Sequence, residues 1–262
     1  MNVPLWQFAF LFFAGLLAGW VDSIAGGGGV ISLPAMFAVG LSPWGALATN
    51  KVAASCGSST ATLRYMRAGS VLPIAWPMAG VAFIAAALGA ECALHMSAGS
   101  LTGIVAVALI IVAIISAFRK DFGTIHVEWP HRKRWYYAIA LPAAVLIGFY
   151  DGLVGPGTGT FLAFVFVAGL GMDFRRATGS TKLVNFATNI ASAIVFMCYG
   201  YVQWTFAAIM GAGILIGAYI GSGMAVRVGP RLIRPIFIVM ALAVAAKVAW
   251  TLTHPAAPAI PK

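Results

Sequence analysis

Gly19-Trp20-Val21-Asp22-Ser23-Ile24-Ala25-Gly26-Gly27-Gly28-Gly29 returns 129 residues later as Gly148-Phe149-Tyr150-Asp151-Gly152-Leu153-Val154-Gly155-Pro156-Gly157-Thr158. The same offset pairs Leu33 with Leu162, Phe37 with Phe166 and Gly40-Leu41 with Gly169-Leu170. A two-residue insertion then shifts the register, so that Ala46 meets Ala177, Lys51 meets Lys182, Met66 meets Met197, Gly69 meets Gly200 and Val71 meets Val202. Further on, Ala82, Ala86 and Ala90 fall opposite Gly213, Gly217 and Gly221. Small residues four apart let helix backbones approach closely in lipid. Self-similarity on this scale marks two copies of one unit. The copies span 1–118 and 135–262, joined by a polar linker at 119–134, within a single membrane domain covering 1–262.

Composition sets the solvent. The 262 residues are 61% hydrophobic and only 8% charged, and the mean hydropathy is +0.96. Soluble domains carry about a quarter charged residues, so this chain cannot cover a water-soluble fold. Leu72–Ala90, Ala98–Phe118 and Tyr201–Val226 contain no charge at all; roughly 20 apolar residues make one spanning helix. The runs do not alternate as barrel strands do. The fold class is therefore an all-α polytopic membrane protein built from two inverted repeats. The formal net charge of +10 fits basic cytoplasmic loops rather than a nucleic-acid face. Cys56, Cys92 and Cys198 lie in apolar runs without metal-ligand or disulfide spacing, which points to packing. The first residues lack the basic region of a cleavable signal, so residues 4–21 read as mature structure.

Each copy reads as five helical segments, near 4–23, 30–40, 44–67, 71–94 and 98–118, then 135–153, 158–170, 174–198, 202–226 and 231–253. Arg64 and Arg67 face neutral partners Val195 and Cys198 in the other copy, Arg175 and Arg176 face Trp44 and Gly45, and Arg227, Arg231 and Arg234 face Met96, Ser100 and Gly103. Equivalent positions of opposite charge bias are what inversion requires. With an odd number of crossings per copy, Arg64, Arg67, Arg119, Lys120, Arg132, Lys133, Arg134, Arg175, Arg176, Arg227, Arg231 and Arg234 share one side, twelve of the sixteen basic residues. That side is expected to be cytoplasmic and both termini outside. The second and seventh segments reach only about half of a hydrocarbon core, so 8–10 membrane segments fit, segments 1–2 and 6–7 either crossing fully or forming re-entrant hairpins with Gly-rich tips at membrane depth.

The two Gly-rich motifs, with Ala48-Thr49-Asn50-Lys51 and Gly155-Pro156-Gly157-Thr158-Gly159-Thr160, resemble the sulfite exporter family (TauE/SafE-like, also called TSUP), in its YfcA-like branch. The resemblance covers almost the whole chain in order and spacing. It implies a secondary transporter of the bacterial inner membrane that moves sulfite, a sulfonate or another small sulfur-containing organic anion, often outward; export coupled to the proton gradient is the expectation that the intramembrane Asp22 and Asp151 add.

Reading the residues themselves leads to a compatible site. Broken helices in inverted repeats bring helix N-termini to the midplane, where backbone N–H groups and the helix dipole favour an oxyanion. Gly26, Gly27, Gly28 and Gly29 precede one such helix; Gly155, Gly157 and Thr158 precede the other. The plainer alternative is that these glycines only permit tight helix crossing. No Gly-Lys-Ser/Thr follows, so the motif is not a phosphate-binding P-loop. Lys51 and Lys182, flanked by Asn50 and Thr181 with Asn185 and Asn189 nearby in the second copy, offer point charges for an anion, unless their stems snorkel to the interface. Asp22 and Asp151 are candidates for proton or cation coupling, or else for capping the next helix.

Glu91, His95, His126, His131 and His254 are expected in solvent-exposed ends and loops. Trp6, Trp44, Trp204 and Trp250 fit an outer aromatic belt, and Trp129 and Trp135 an inner one. No catalytic residue, metal site or cofactor is expected, and no nucleic acid; the partners are a small anion, the lipid bilayer and, left open, further copies of the chain. The rivals to a secondary transporter are an anion channel or a permease for a non-sulfur organic anion. A membrane-embedded enzyme would need clustered His, Asp or Cys in the apolar cores.

Overall fold

A computed structural model describes residues 4–118 and 133–228. The helices are α1 (Leu5–Ala25), α2 (Gly29–Ala38), α3 (Pro43–Arg67), α4 (Ala75–Leu94), α5 (Ala98–Phe118), α6 (Lys133–Leu153), α7 (Thr158–Phe164, continued by a π turn Val165–Gly169), α8 (Phe174–Cys198) and α9 (Trp204–Val228). No strand interrupts them among the described residues. The expected tenth segment at 231–253, most of the 119–134 linker, and Arg119, Lys120, Arg132, Arg231, Arg234, Trp129, His126, His131, Trp250 and His254 lie outside the described residues, as do the side chains of Lys133, Arg134, Trp135 and Arg227.

Local chemistry explains where the long helices begin. Ser42 accepts the Gly45 N–H at 3.2 Å ahead of Pro43, so α3 opens on a side-chain cap with proline in its first turn. Asp173 caps α8 through the Arg176 N–H at 3.0 Å. The sequence places the fourth segment's start too early: Ser70 to Pro73 forms a connection, and helix begins only at Ala75, because Pro73 disfavours a helical conformation at Leu72.

Five described helices, α1, α4, α6, α8 and α9, are long and apolar enough to cross a membrane. Their outward residues are apolar, with Phe13, Ile84, Leu88 and Leu146 exposed. The buried interior instead holds Asn50, Lys51, Asp151, Lys182 and Asn185. Lipid is the natural solvent for that outer surface. Of the three cysteines, Cys56 is half-buried, while Cys92 and Cys198 face outward, all free; the packing role expected for the latter two is not what the structure gives them.

Small residues bring the two copies together. Gly213 sits against Phe12 and Leu16, Gly217 against Leu16 and Trp20, and Gly221 against Trp20 and Ser23, so α9 runs parallel to α1. The mirrored contact joins α4 and α6, with Gly148 on Ala82 and Gly152 on Ala86 and Ala90. Arg175, at the start of α8, reaches Ser70 and Ala68, just past the end of α3; Gln203, past the end of α8, donates to Thr49 near the start of α3. The two repeat partners α3 and α8 are thus antiparallel, as inverted copies must be.

Gly57 and Arg64 on α3 meet Ile214 and Gly223 on α9, so α3 is also parallel to α9 and hence to α1. Between α1 and α3 the chain must therefore return, and it does so through α2. Ten residues of helix are only about 15 Å long, half a bilayer core. At the turn, Gly26 packs against the backbone of Gly159, so the tips of the two hairpins touch each other from opposite copies. Tips that meet across an inverted repeat's two-fold axis lie at mid-thickness, which favours the re-entrant arrangement. Arg64 and Arg175 mark one end of the bundle. Glu91, Tyr199 and His95 mark the other, where Tyr199 donates to Glu91 at 2.6 Å.

Candidate functional site

The middles of α3 and α8 and the two hairpin tips enclose a small cavity of about 40 Å³, lined by Asp22, Gly27, Gly28, Gly29, Asn50, Lys51, Asp151, Gly155, Gly157, Thr158 and Asn185. That is room for a few waters. Three residues expected there stand behind the wall instead: Gly26 at the tip-to-tip contact, and Thr181 and Lys182, both buried in α8. Gly159, Asn189 and Ser32 also line the cavity. Gly159 closes the Gly-x-Gly-x-Gly run that begins at Gly155, and Asn189 lies one turn beyond Asn185, so both carried a signal in the sequence.

Tight turns shape the tips. Gly26 and Gly157 have φ of 76° and 83°, backbone that other residues adopt only under strain. The tips leave donors over: among the described residues the N–H groups of Gly27, Gly29 and Gly157 have no hydrogen-bond partner in the chain. All three glycines line the cavity.

The charged residues pair across the copies. Lys51 Nζ lies 2.9 Å from Asp151 Oδ2, and Lys182 Nζ lies 2.8 Å from Asp22 Oδ2. Each lysine is thus held by the hairpin of the opposite repeat. Snorkelling is excluded, since the two lysines are 1% and 0% exposed. The capping alternative is seen in part: Asp22 Oδ1 accepts the Gly28 N–H at 3.2 Å, whereas Asp151 Oδ1 accepts the Thr158 hydroxyl at 2.6 Å. The sequence showed two acids and two lysines as repeat partners but not who faces whom. Four charges that lipid cannot solvate must neutralise one another, and that rule was the missed signal.

Uncommitted polar groups surround these pairs. Asn50 Oδ1, Thr160 Oγ1 and Thr181 Oγ1 are buried without a partner, and Asn189 donates to Asn185 Oδ1 at 3.2 Å. A hydroxyl or a rotatable amide can turn a donor toward a bound guest. Tyr65 braces the first hairpin by donating to the Ser23 carbonyl at 3.0 Å.

A profile of the family described as "Sulfite exporter TauE/SafE" matches residues 11–248. The "Probable membrane transporter protein ORF9" of Sinorhizobium sp. is 38% identical over 248 residues, covering 94% of both chains. The "Probable membrane transporter protein YfcA" of Escherichia coli K12 is 35% identical over 92% of this chain and 88% of its own length. A "Probable membrane transporter protein" of Haemophilus influenzae is 31% identical, over 95% of this chain and 97% of that one. No solved structure gives a significant match.

Proposed function

The chain belongs to the sulfite exporter TauE/SafE family, and from that membership we propose that this multi-pass membrane transporter carries sulfite, a sulfonate or a related small sulfur-containing anion outward across the bacterial inner membrane. The observation that carries this reading is the convergence of two Gly-rich hairpin tips and the buried Lys51 on one central cavity, with Lys182 directly behind its Asp22 wall. Unpaired tip N–H groups and an ammonium are the donors an oxyanion needs, and charge-assisted hydrogen bonds are the strong ones.

The electrostatics add a coupling rule. Asp22 and Asp151 balance Lys182 and Lys51, so the empty site is neutral. An added anion would leave one uncompensated negative charge in a poorly solvated interior. Taking up a proton on an aspartate removes that charge, which ties anion binding to the proton gradient. The touching tips of Gly26 and Gly159 support a carrier that must rearrange, over a permanently open channel.

Orientation follows from the basic end formed by Arg64, Arg67, Arg175 and Arg176, which is proposed to face the cytoplasm. Flux of sulfite, methanesulfonate and non-sulfur organic anions into proteoliposomes, with and without a pH gradient, tests the reading. Saturable flux of a sulfur anion that responds to the gradient is expected; flux of none of them, or flux indifferent to the gradient, speaks against it.

A further inference from the structure

Asp22 is held by the two kinds of donor that an oxyanion would use at a Gly-rich tip. Its Oδ2 takes the Lys182 ammonium at 2.8 Å and its Oδ1 takes the Gly28 N–H at 3.2 Å. A carboxylate and a sulfur oxyanion share this chemistry: a negative charge spread over oxygens that accept from N–H. The two aspartates are not equivalent in this respect. Asp151 and Lys51 are 2% and 1% exposed, and the Thr158 hydroxyl donates to Asp151 Oδ1 at 2.6 Å. Asp22 keeps 20% exposure and lines the cavity, while Lys182 is fully buried behind it. The Asp22 carboxylate therefore stands between the cavity and an ammonium that has no other acidic partner among the described residues.

We propose that Asp22 is a tethered place-holder for the carried anion, occupying a seat formed by Lys182 Nζ and the Gly28 N–H and yielding it when protonated. This rests on the anion-carrier reading of the cavity. The charges balance at each step. A proton from water neutralises the carboxylate, the neutral carboxyl releases the ammonium, and the anion takes its place. When the anion leaves, the proton returns to water and the carboxylate recaptures Lys182, so one proton accompanies one negative charge. The titratable groups that face Asp22 are Lys182 on α8, Tyr65 on α3 through the Ser23 carbonyl, and Lys51 with Asp151 across the cavity. Helices α2 and α7 carry no titratable side chain, and Tyr219 on α9 is exposed and stacked with Arg64.

Chemical rescue tests the seat without needing the natural substrate. In purified full-length Asp22→Ala in nanodiscs, formate should raise the melting temperature saturably, with no such response in wild type or in Asp22→Ala/Lys182→Met. An Asp22→Ala protein that formate does not stabilise beyond wild type overturns the proposal. Asp22→Asn keeps the shape and guards against misfolding of the alanine variant. In mildly alkaline buffer it should bind methanesulfonate roughly tenfold or more tighter than wild type, with a flat pH profile. A profile that follows the wild type's pH dependence also overturns it. Formate rescue together with no sulfite or sulfonate binding by wild type at any pH would keep the seat and sink the sulfur-anion reading instead.

Discussion

Helices α3 and α8 are the same element seen twice. Each has 25 residues, opens on a side-chain cap and carries a lysine two turns in, and they lie antiparallel across the axis. Yet only α8 is apolar enough to read as a membrane span. Ser55, Ser58, Ser59, Thr60, Thr62, Arg64 and Arg67 make α3 polar, and it is tolerated because α8 and α9 cover it and most of these hydroxyls bond back to its own carbonyls. What the two helices share, the lysine, builds the centre. What they do not share is basic charge: Arg64 and Arg67 end α3, Arg175 and Arg176 begin α8, and both sets lie at one end of the bundle. The cavity wall differs too, with Asn185 and Asn189 on α8 where α3 has Ala54 and Ser58.

The largest effect should separate the two lysines. Lys51→Met strands Asp151 as a buried, unpaired charge and should cost about 3–5 kcal/mol of unfolding free energy, most of it recovered in Lys51→Met/Asp151→Asn. Lys182→Met should cost clearly less, because the Asp22 side chain stays 20% exposed at the cavity. Equal losses in denaturation would break the contrast between the two pairs.

Packing should instead treat the copies alike. A side chain at Gly217 would collide with the Leu16 carbonyl, and one at Gly152 with the Ala86 carbonyl. Valine at either position should lower stability by roughly 1–3 kcal/mol, while Gly99→Val, which meets nothing within 4 Å, should be nearly neutral. Melting curves showing one glycine sensitive and the other indifferent would deny the mirrored packing.

A smaller effect is expected at the unshared wall. Asn185→Ala and Asn189→Ala should each weaken anion binding by about 0.5–1.5 kcal/mol, a few-fold; unchanged affinity in both would remove the asparagines from the site. The arginine bias has no energetic readout but a definite topological one. A cysteine at position 125 in an otherwise Cys-free chain should resist impermeant reagents in intact cells and react in inside-out vesicles, and labelling from outside would reverse the orientation.

The sequence carried the helices because lipid enforces long apolar runs, and it carried the repeat because Asp22 and Asp151, and Lys51 and Lys182, recur in register. Inversion was legible in the arginines. The crossed pairs were not: Lys182 meets a residue 160 positions away, and a repeat offset says which residues are equivalent, never which ones touch. The unequal exposure of Asp22 and Asp151 was hidden for the same reason, since it depends on where α1, α8 and α9 leave a gap.

The central claim is that both hairpins and both lysines serve one anion site. Its most direct test is equilibrium binding of sulfite and methanesulfonate to two charge-neutral variants, Lys51→Met/Asp151→Asn and Lys182→Met/Asp22→Asn. Neither strands a buried charge, so both should fold and melt cooperatively. Each is expected to bind the anion that wild type binds roughly tenfold or more weakly. Wild-type affinity in either folded variant would contradict a site shared by the two repeats.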